Sequence, residues 1–274
     1  MLKLKLNLKK LILVKNKYIN FDYFISTELN EIKKKVNYSI ISNIDLNKAV
    51  KDLNNQGFYL VEKVFDENLI NQFEKEFDYV IEKYNSTFDE TSISNSSQVR
   101  IFNQKNMIKD KLYACSALFG NLEIKNIIKS HFKKKFIFNS DIFFQRSGPT
   151  KKPLASEYHF DILNSIKVWL YVDDCYEDNG PLEVVKESFK QNKEIREVSY
   201  KNLNKISNVS NIQEHQNTLK LTAPKGSIII FNTDLLHRAT EIKSNFIRKV
   251  IRGHSFSEKA LEYNYELQRN YTSH

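Results

Sequence analysis

Apolar and polar positions along the chain divide into a helical half followed by a strand-rich half. Leu46 to Asn54 predicts a short helix stopped near Gly57, and Phe58-Tyr59-Leu60-Val61 then reads as a strand. Asp66 stands where a helix N-cap belongs, before Glu67. Beyond it Leu69, Ile70, Phe73, Phe77, Val80, Ile81 and Tyr84 recur at three- and four-residue steps, which gives one broad apolar face. The polar stretch Asn85 to Gln98 reads as a loop, and helical periodicity returns from Lys109 to Phe132 with a break at Gly120-Asn121. From there the period changes to two. Strands are predicted at Phe136–Gln145, Lys167–Val172, Leu182–Val185, Leu219–Leu221, Ser227–Phe231 and Phe246–Phe256, with a tight turn at Asn179-Gly180. Along Lys167–Val172, Trp169 and Tyr171 fall on one face and Val168, Leu170 and Val172 on the other. Helices followed by many strands predict an α+β fold whose strands close into a barrel or sandwich.

Residues 186–218 are polar, rich in Asn and Lys, and weakly periodic, which predicts a long surface excursion of the kind that serves as a lid or binding loop. Residues 1–44 form a basic N-terminal extension, alternating apolar and basic at its start and predicted to be a strand or partly disordered. Residues 45–274 form the main domain. No apolar run reaches the length of a membrane span, and no small-residue cleavage site follows the first segment. Two cysteines, Cys115 and Cys175, are too few and too far apart for a disulfide framework, which fits a cytoplasmic protein. A hydrophobic share of 41% excludes a disordered chain, and a net charge of +9 argues for solubility and steering of anions rather than for a particular partner. No nucleic-acid recognition motif accompanies that charge, so no nucleic-acid partner is expected.

The chemistry concentrates at Tyr158-His159-Phe160-Asp161. In an extended segment residues two apart project to the same side, so an imidazole and a carboxylate stand together at His159 and Asp161. His237, after the apolar run Ser227–Phe231, is a candidate third ligand. Two histidines and one carboxylate are the facial triad of non-haem Fe(II) oxygenases, which leaves metal positions open. Glu157 is a candidate acceptor for a ligand histidine. Arg252 shares the strand face of Arg248 by two-residue periodicity and either reaches the site or fills the mouth of the barrel. His131, His215, His254 and His274 have no defensible ligand spacing and read as ordinary polar residues.

Around this segment lie Val168-Trp169-Leu170-Tyr171-Val172-Asp173-Asp174, Asp178-Asn179-Gly180-Pro181-Leu182-Glu183-Val184-Val185, Pro224 to Phe231, His237-Arg238-Ala239-Thr240 and Arg248. In this order they resemble the phytanoyl-CoA dioxygenase family of Fe(II)/2-oxoglutarate-dependent oxygenases, and the likeness extends from about Asp45 to Ser257. The resemblance implies a double-stranded β-helix, or jelly roll, flanked by N-terminal helices, with Fe(II), 2-oxoglutarate and O2 as cofactors. It implies His159, Asp161 and His237 as metal ligands, Arg248 as the grip on the distal carboxylate of 2-oxoglutarate, and Trp169 and Gln145 as further cosubstrate contacts. Trp169 as plain core is the competing reading. The implied activity is hydroxylation of a small organic substrate with release of succinate and CO2, and the basic surface favours an anionic one. A jelly-roll binding protein that keeps the ligands without turnover is the alternative. Two departures stand out. Lys186-Glu187-Ser188-Phe189 replaces the family's Pro-Gly-Ser-His, and Ala239 stands where a hydroxyl side chain is usual.

Overall fold

A computed structural model describes residues 44–84, 95–133, 135–202, 207–210, 216–243 and 245–272. The predicted N-terminal extension therefore lies outside the described residues. Helix α1 (Leu46–Asn55) starts where the Asp45 carboxylate accepts the Lys48 N–H at 2.9 Å. After β1 (Phe58–Val61), α2 (Glu67–Lys83) starts in the same way, with Asp66 accepting from Leu69 N at 2.8 Å. These caps satisfy helix N–H groups that lack an intrahelical acceptor. Strand β2 (Ser96–Phe102) then leads through α3 (Asn103–Lys109), α4 (Tyr113–Phe119) and α5 (Leu122–Phe132) into β3 (Phe136–Ser147). The start of α4 has no side-chain cap of its own. Instead the buried Glu76 of α2 accepts from Ala114 N at 2.8 Å and Cys115 N at 2.9 Å, tying the two helices together.

The remaining elements are β4 (Ser165–Tyr171), β5 (Leu182–Val185), α6 (Phe189–Asn202), β6 (Thr218–Leu221), β7 (Ile228–Asn232), β8 (His237–Ala239), β9 (Arg248–Ser257) and α7 (Glu258–Thr272). Six strands form an antiparallel major sheet in the order β1-β7-β4-β9-β3-β2, and three form a minor sheet in the order β6-β5-β8. This is the jelly roll, with the helices from the N-terminal half laid against the outside of the major sheet. Both faces of β4 are covered, so all of its residues are buried. Ile166, Val168 and Leu170 pack outward with Phe73 and Phe77 of α2 and Leu118 of α4. Trp169 and Tyr171 pack inward with Leu182 and Val184 of the minor sheet, as their alternation predicts. Each such fully buried side chain contributes about 1.5–3 kcal/mol relative to exposure.

Two segments depart from the sequence-based expectation. Ser96–Phe102, whose first three residues the polar pattern assigns to a loop, is strand β2, paired along its length with β3. On this edge strand Val99 and Ile101 are buried towards the helices, while Gln98 and Arg100 on the opposite face are exposed, and that wet face hides the usual apolar signal. The excursion contains the 14-residue helix α6, whose buried residues include Asn192, Arg196 and Ser199. Their helical spacing is regular, but polar residues give no hydrophobic periodicity. Among the described residues no helix is long and apolar enough to cross a membrane.

Candidate metal and cosubstrate site

The segment from Tyr158 to Asp161 is extended but joins no sheet as a regular strand. It is fixed from both sides. His159 and His237 exchange backbone hydrogen bonds of 3.1 and 2.9 Å, and the Asp161 N–H donates to Thr233 O at 2.9 Å. On the other side Phe160 N–H donates to Asn208 O at 3.0 Å and Ser210 N–H to Tyr158 O at 2.7 Å. Residues 207–210, at the far end of the excursion, thus clamp the segment that carries two ligands.

The result brings His159, Asp161 and His237 together, with one ligand atom from each lying within 4.8 Å of the others. The imidazole centroids are 4.4 Å apart. His159 Nδ1 lies 2.8 Å from Glu157 O, and His237 Nδ1 lies 2.8 Å from Leu235 O. A carbonyl only accepts, so both Nδ1 atoms carry the proton and both Nε2 lone pairs are free for an ion. Glu157 thus supports a ligand histidine through its carbonyl rather than its carboxylate. His237 Nε2 is buried without a hydrogen-bond partner and lies 3.8 Å from Asp161 Oδ1. Burial, together with the charge of Lys167 and the neighbouring His159, holds the His237 pKa well below its usual value, against the pull of Asp161. The imidazole is therefore neutral, as a metal ligand must be. The donor set and the orphaned nitrogen fit a divalent ion with positions left open.

Sequence reasoning does not single out Lys167, although alternation from Trp169 and Tyr171 puts it on the same inward face. Its Nζ lies 2.8 Å from Asp161 Oδ2 and 5.7 Å from the centre of the Phe231 ring. Burial opposes ionisation of Asp161, yet the charge and hydrogen bond of Lys167 hold this carboxyl well below the usual range. One carboxylate oxygen is thereby occupied by Lys167, and the other faces His237. The turn before β8 is held by a buried bidentate ion pair, with Arg196 Nε and Nη2 at 2.6 and 2.8 Å from the Asp234 carboxylate. Asn192 adds a bond to Asp234 O at 2.9 Å. Helix α6 therefore orients the backbone from which His237 projects.

Arg248, Gln145 and Trp169 all reach the interior of the roll. Arg248 is 1% exposed, with Nη1 donating to Gly180 O and Nη2 3.4 Å from Ser147 Oγ. None of these partners is charged, and its Nε has no partner. Gly180 adopts φ +71°, and a Cβ there would lie 2.5 Å from Ile242 and 3.3 Å from Arg248 Nη1, so the Asn-Gly turn is required for the arginine to sit as it does. Gln145 Oε1 and Trp169 Nε1 are likewise buried without partners. Thr240 does not substitute for the hydroxyl missing at Ala239, because its Oγ1 is committed to Pro181 O at 2.7 Å. The hydroxyl beside Arg248 is that of Ser147, its cross-strand partner. Ser188 of the altered loop accepts from Leu236 N and donates to Val185 O, both at 2.8 Å, while Glu187 takes φ +67° where the resembling family has glycine.

Comparison with curated proteins gives no match. Among solved structures, the chain is similar to SnoK, a non-heme alpha-ketoglutarate-dependent carbocyclase from nogalamycin biosynthesis, with 15% identity and TM-score 0.57 over 78% of this chain and 85% of that one. HygX from Streptomyces hygroscopicus is similar at 13% identity and TM-score 0.53, covering 77% and 87% of the two chains. EctD from S. alaskensis, at 11% identity and TM-score 0.53, covers 78% and 77%. At these identities the likeness is one of fold. The family model for phytanoyl-CoA dioxygenase matches residues 53–250, well over half of the sequence, and this chain belongs to that family of Fe(II)- and 2-oxoglutarate-dependent oxygenases.

Proposed function

We propose that the protein hydroxylates a small, anionic organic molecule, using Fe(II), 2-oxoglutarate and O2 and releasing succinate and CO2. One observation carries the reading: the His159–Asp161–His237 cluster and a buried Arg248 with no charged partner line the same interior. His159, Asp161 and His237 would hold the iron, and Arg248 the distal carboxylate of 2-oxoglutarate, with Ser147 beside it and Gln145 and Trp169 as further cosubstrate contacts. When bound, the metal and cosubstrate supply the oxidising chemistry, in which one oxygen atom of O2 enters the substrate and the other enters succinate.

The protein's own contributions are positional. Glu157 O and Leu235 O fix the tautomer and ring plane of the two histidines. Lys167 holds Asp161 by one oxygen and so favours single-oxygen coordination of a metal. The apolar wall of Tyr171, Ile229 and Phe231 excludes water from the interior. A groove of about 320 Å³ lined by Ala155, Ser156, Glu157, His159, Asn208 and Val209 gives the substrate its approach to the metal. Its far wall comes from the excursion, which we assign to substrate selection. The basic surface favours an anionic substrate.

Anaerobic titration of metal-free protein with Fe(II) and 2-oxoglutarate tests the reading. A visible metal-to-ligand charge-transfer band is expected, lost in His159→Ala and weakened in Arg248→Ala. Absence of the band in folded wild-type protein rejects the oxygenase in favour of a binding protein. Once a substrate is found, a product heavier by one oxygen atom separates hydroxylation from other oxidative outcomes.

A further inference from the structure

Burying a charge without a counter-charge is costly, so each cation inside the roll calls for its anion. Lys167 has Asp161 at 2.8 Å, and Arg100, exposed at the edge strand, has Asp141 at 2.9 Å. Arg248 is accounted for by the distal carboxylate of 2-oxoglutarate, whose other carboxylate goes to the metal. Arg252 has no such match. Its one side-chain hydrogen bond among the described residues is from Nη2 to the neutral Gln98 Oε1 at 2.6 Å, and its Nε is buried without a partner.

The guanidinium is nevertheless held firmly. Its Cζ lies 5.1 Å from the centre of the Phe143 ring and 5.4 Å from that of Trp169. With two rings beside it and Nη2 bonded to Gln98, its remaining N–H groups are left to hydrogen-bond a planar or tetrahedral oxyanion. The side chain as a whole is only half-buried, so a ligand can reach it. Burial and Arg248 lower its pKa to about 10, against the pull of Asp161, and it stays protonated at neutral pH. His254, two residues along the same strand face, packs against Phe143 with ring centres 4.8 Å apart and has a buried Nε2 without a partner. Arg252 lies four residues beyond Arg248 on β9, about 13 Å along the strand. Cross-strand pairing sets Arg252 beside Trp169 and His254 beside Lys167, whose amine meets Asp161. The unmatched cation therefore stands between the cosubstrate end and the metal, towards β3 and β2.

We propose that Arg252, with His254 beside it, forms an oxyanion subsite for a carboxylate or phosphoryl group of the primary substrate, distinct from the Arg248 end that takes 2-oxoglutarate. The inference deepens the oxygenase reading and rests on it for the identity of the second ligand. Hydrogen bonds from the charged Arg252 edge fix the substrate's anionic end, and the C–H bond to be oxidised lies elsewhere on the molecule, facing the metal.

Trp169 is the single tryptophan of the chain and touches Arg252, so its fluorescence reports on this subsite directly. The test titrates acetate and, separately, methylphosphonate into protein loaded with Mn(II) and saturated with 2-oxoglutarate. A saturable change in emission is expected with at least one probe, and the choice between them tells carboxylate from phosphoryl. Arg252→Gln should weaken that binding by about tenfold or more. Arg248→Gln should weaken the 2-oxoglutarate response while leaving the probe response in place. Should Arg252→Gln fail to fold by circular dichroism, Arg252→Lys keeps the charge, loses the fork and is expected to weaken the probe severalfold. The proposal is overturned if neither probe binds wild type, if binding is indifferent to the Arg252 variants, or if the probe competes with 2-oxoglutarate. An Arg252-dependent probe response in wild-type protein that does not bind 2-oxoglutarate would uphold the subsite and reject the cosubstrate reading instead.

Discussion

Replacing Lys167 with methionine tests whether this amine acts on the metal site or only fills space. Methionine preserves much of the side-chain volume and the contact with Phe231 but leaves Asp161 without its partner. Breaking a fully buried ion pair by deleting one member costs about 3–5 kcal/mol. The Lys167 side chain is 8% exposed and that of Asp161 23%, so solvent screens part of the orphaned charge. A loss of about 2 kcal/mol is therefore expected in chelator. A divalent ion at the site supplies the charge that Lys167 otherwise provides, so with saturating Mn(II) the deficit should shrink to below about 1 kcal/mol. By linkage the variant must then bind Mn(II) several times more tightly than wild type, a gap of about 1.4 kcal/mol being about tenfold. Urea unfolding with and without metal measures both quantities. An equal deficit in the two conditions would refute the reasoning, because Lys167 would then act through packing alone. No deficit in chelator would refute it too.

Other substitutions probe the frame. Asp234→Ala leaves the buried Arg196 only the half-exposed Glu197 at 2.9 Å and should cost about 2–3 kcal/mol in denaturant unfolding, while the double variant Arg196→Met, Asp234→Leu should recover much of that loss. A Cβ at residue 253 would lie 2.5 Å from Phe119 and 2.6 Å from Asn139, so Gly253→Ala should lower stability by about 1–3 kcal/mol, read as a drop in Tm. Burial pushes Asp173 up to about 6, against the Lys249 N–H that donates to it at 2.8 Å. The folded state therefore holds this proton more tightly than the unfolded chain, and the group's contribution to stability is lost as pH rises from about 4 to 6. Asp173→Asn should accordingly gain about 1 kcal/mol at pH 7, after discounting for partial exposure, and nothing at pH 4, by urea unfolding at both values.

Side-chain alternation makes much of the site legible in the sequence. The His159–Asp161 spacing, the inward face of Trp169 and Tyr171, and the β1, β5 and helix-break positions follow from periods of two and 3.6. What alternation does not say is which face of a strand is the inside of a roll, where polar side chains such as Lys167, Gln145 and Arg248 stand among the apolar ones. Ser96 and Gln98 of β2 read as loop because their face of this edge strand is open to solvent, and His254 reads as an ordinary polar residue. The same limit hides Lys167, whose place on the Trp169 face is available but whose partner Asp161 is set by tertiary contact alone. Helix α6 escapes for a related reason, since its buried stripe is made of Asn192, Arg196 and Ser199, which bond to the site's supporting turn and to α7 instead of packing on a greasy core.

The major sheet divides its work by face. Outward residues such as Val168, Leu170 and Ile251 join the large helix-covered cluster, whose burial supplies cohesion without any demand on the chemistry within. That frees the inner face to carry Arg248, Arg252, Lys167 and His254, a density of cationic and donor groups that an ordinary core would not sustain. The departures from the family pattern fall within the same logic. Ala239 leaves the minor sheet without the usual hydroxyl, while Ser147, on the strand paired with β9, places one 3.4 Å from Arg248 Nη2. Glu187 keeps the left-handed turn at a cost of roughly 1–2 kcal/mol for a residue with a Cβ. Ser188 holds the turn from both sides, bonding Val185 O and Leu236 N, and so passes its position to the residues leading into His237. Geometry at the ligand is thus preserved through backbone contacts that tolerate a change of side chain one residue away.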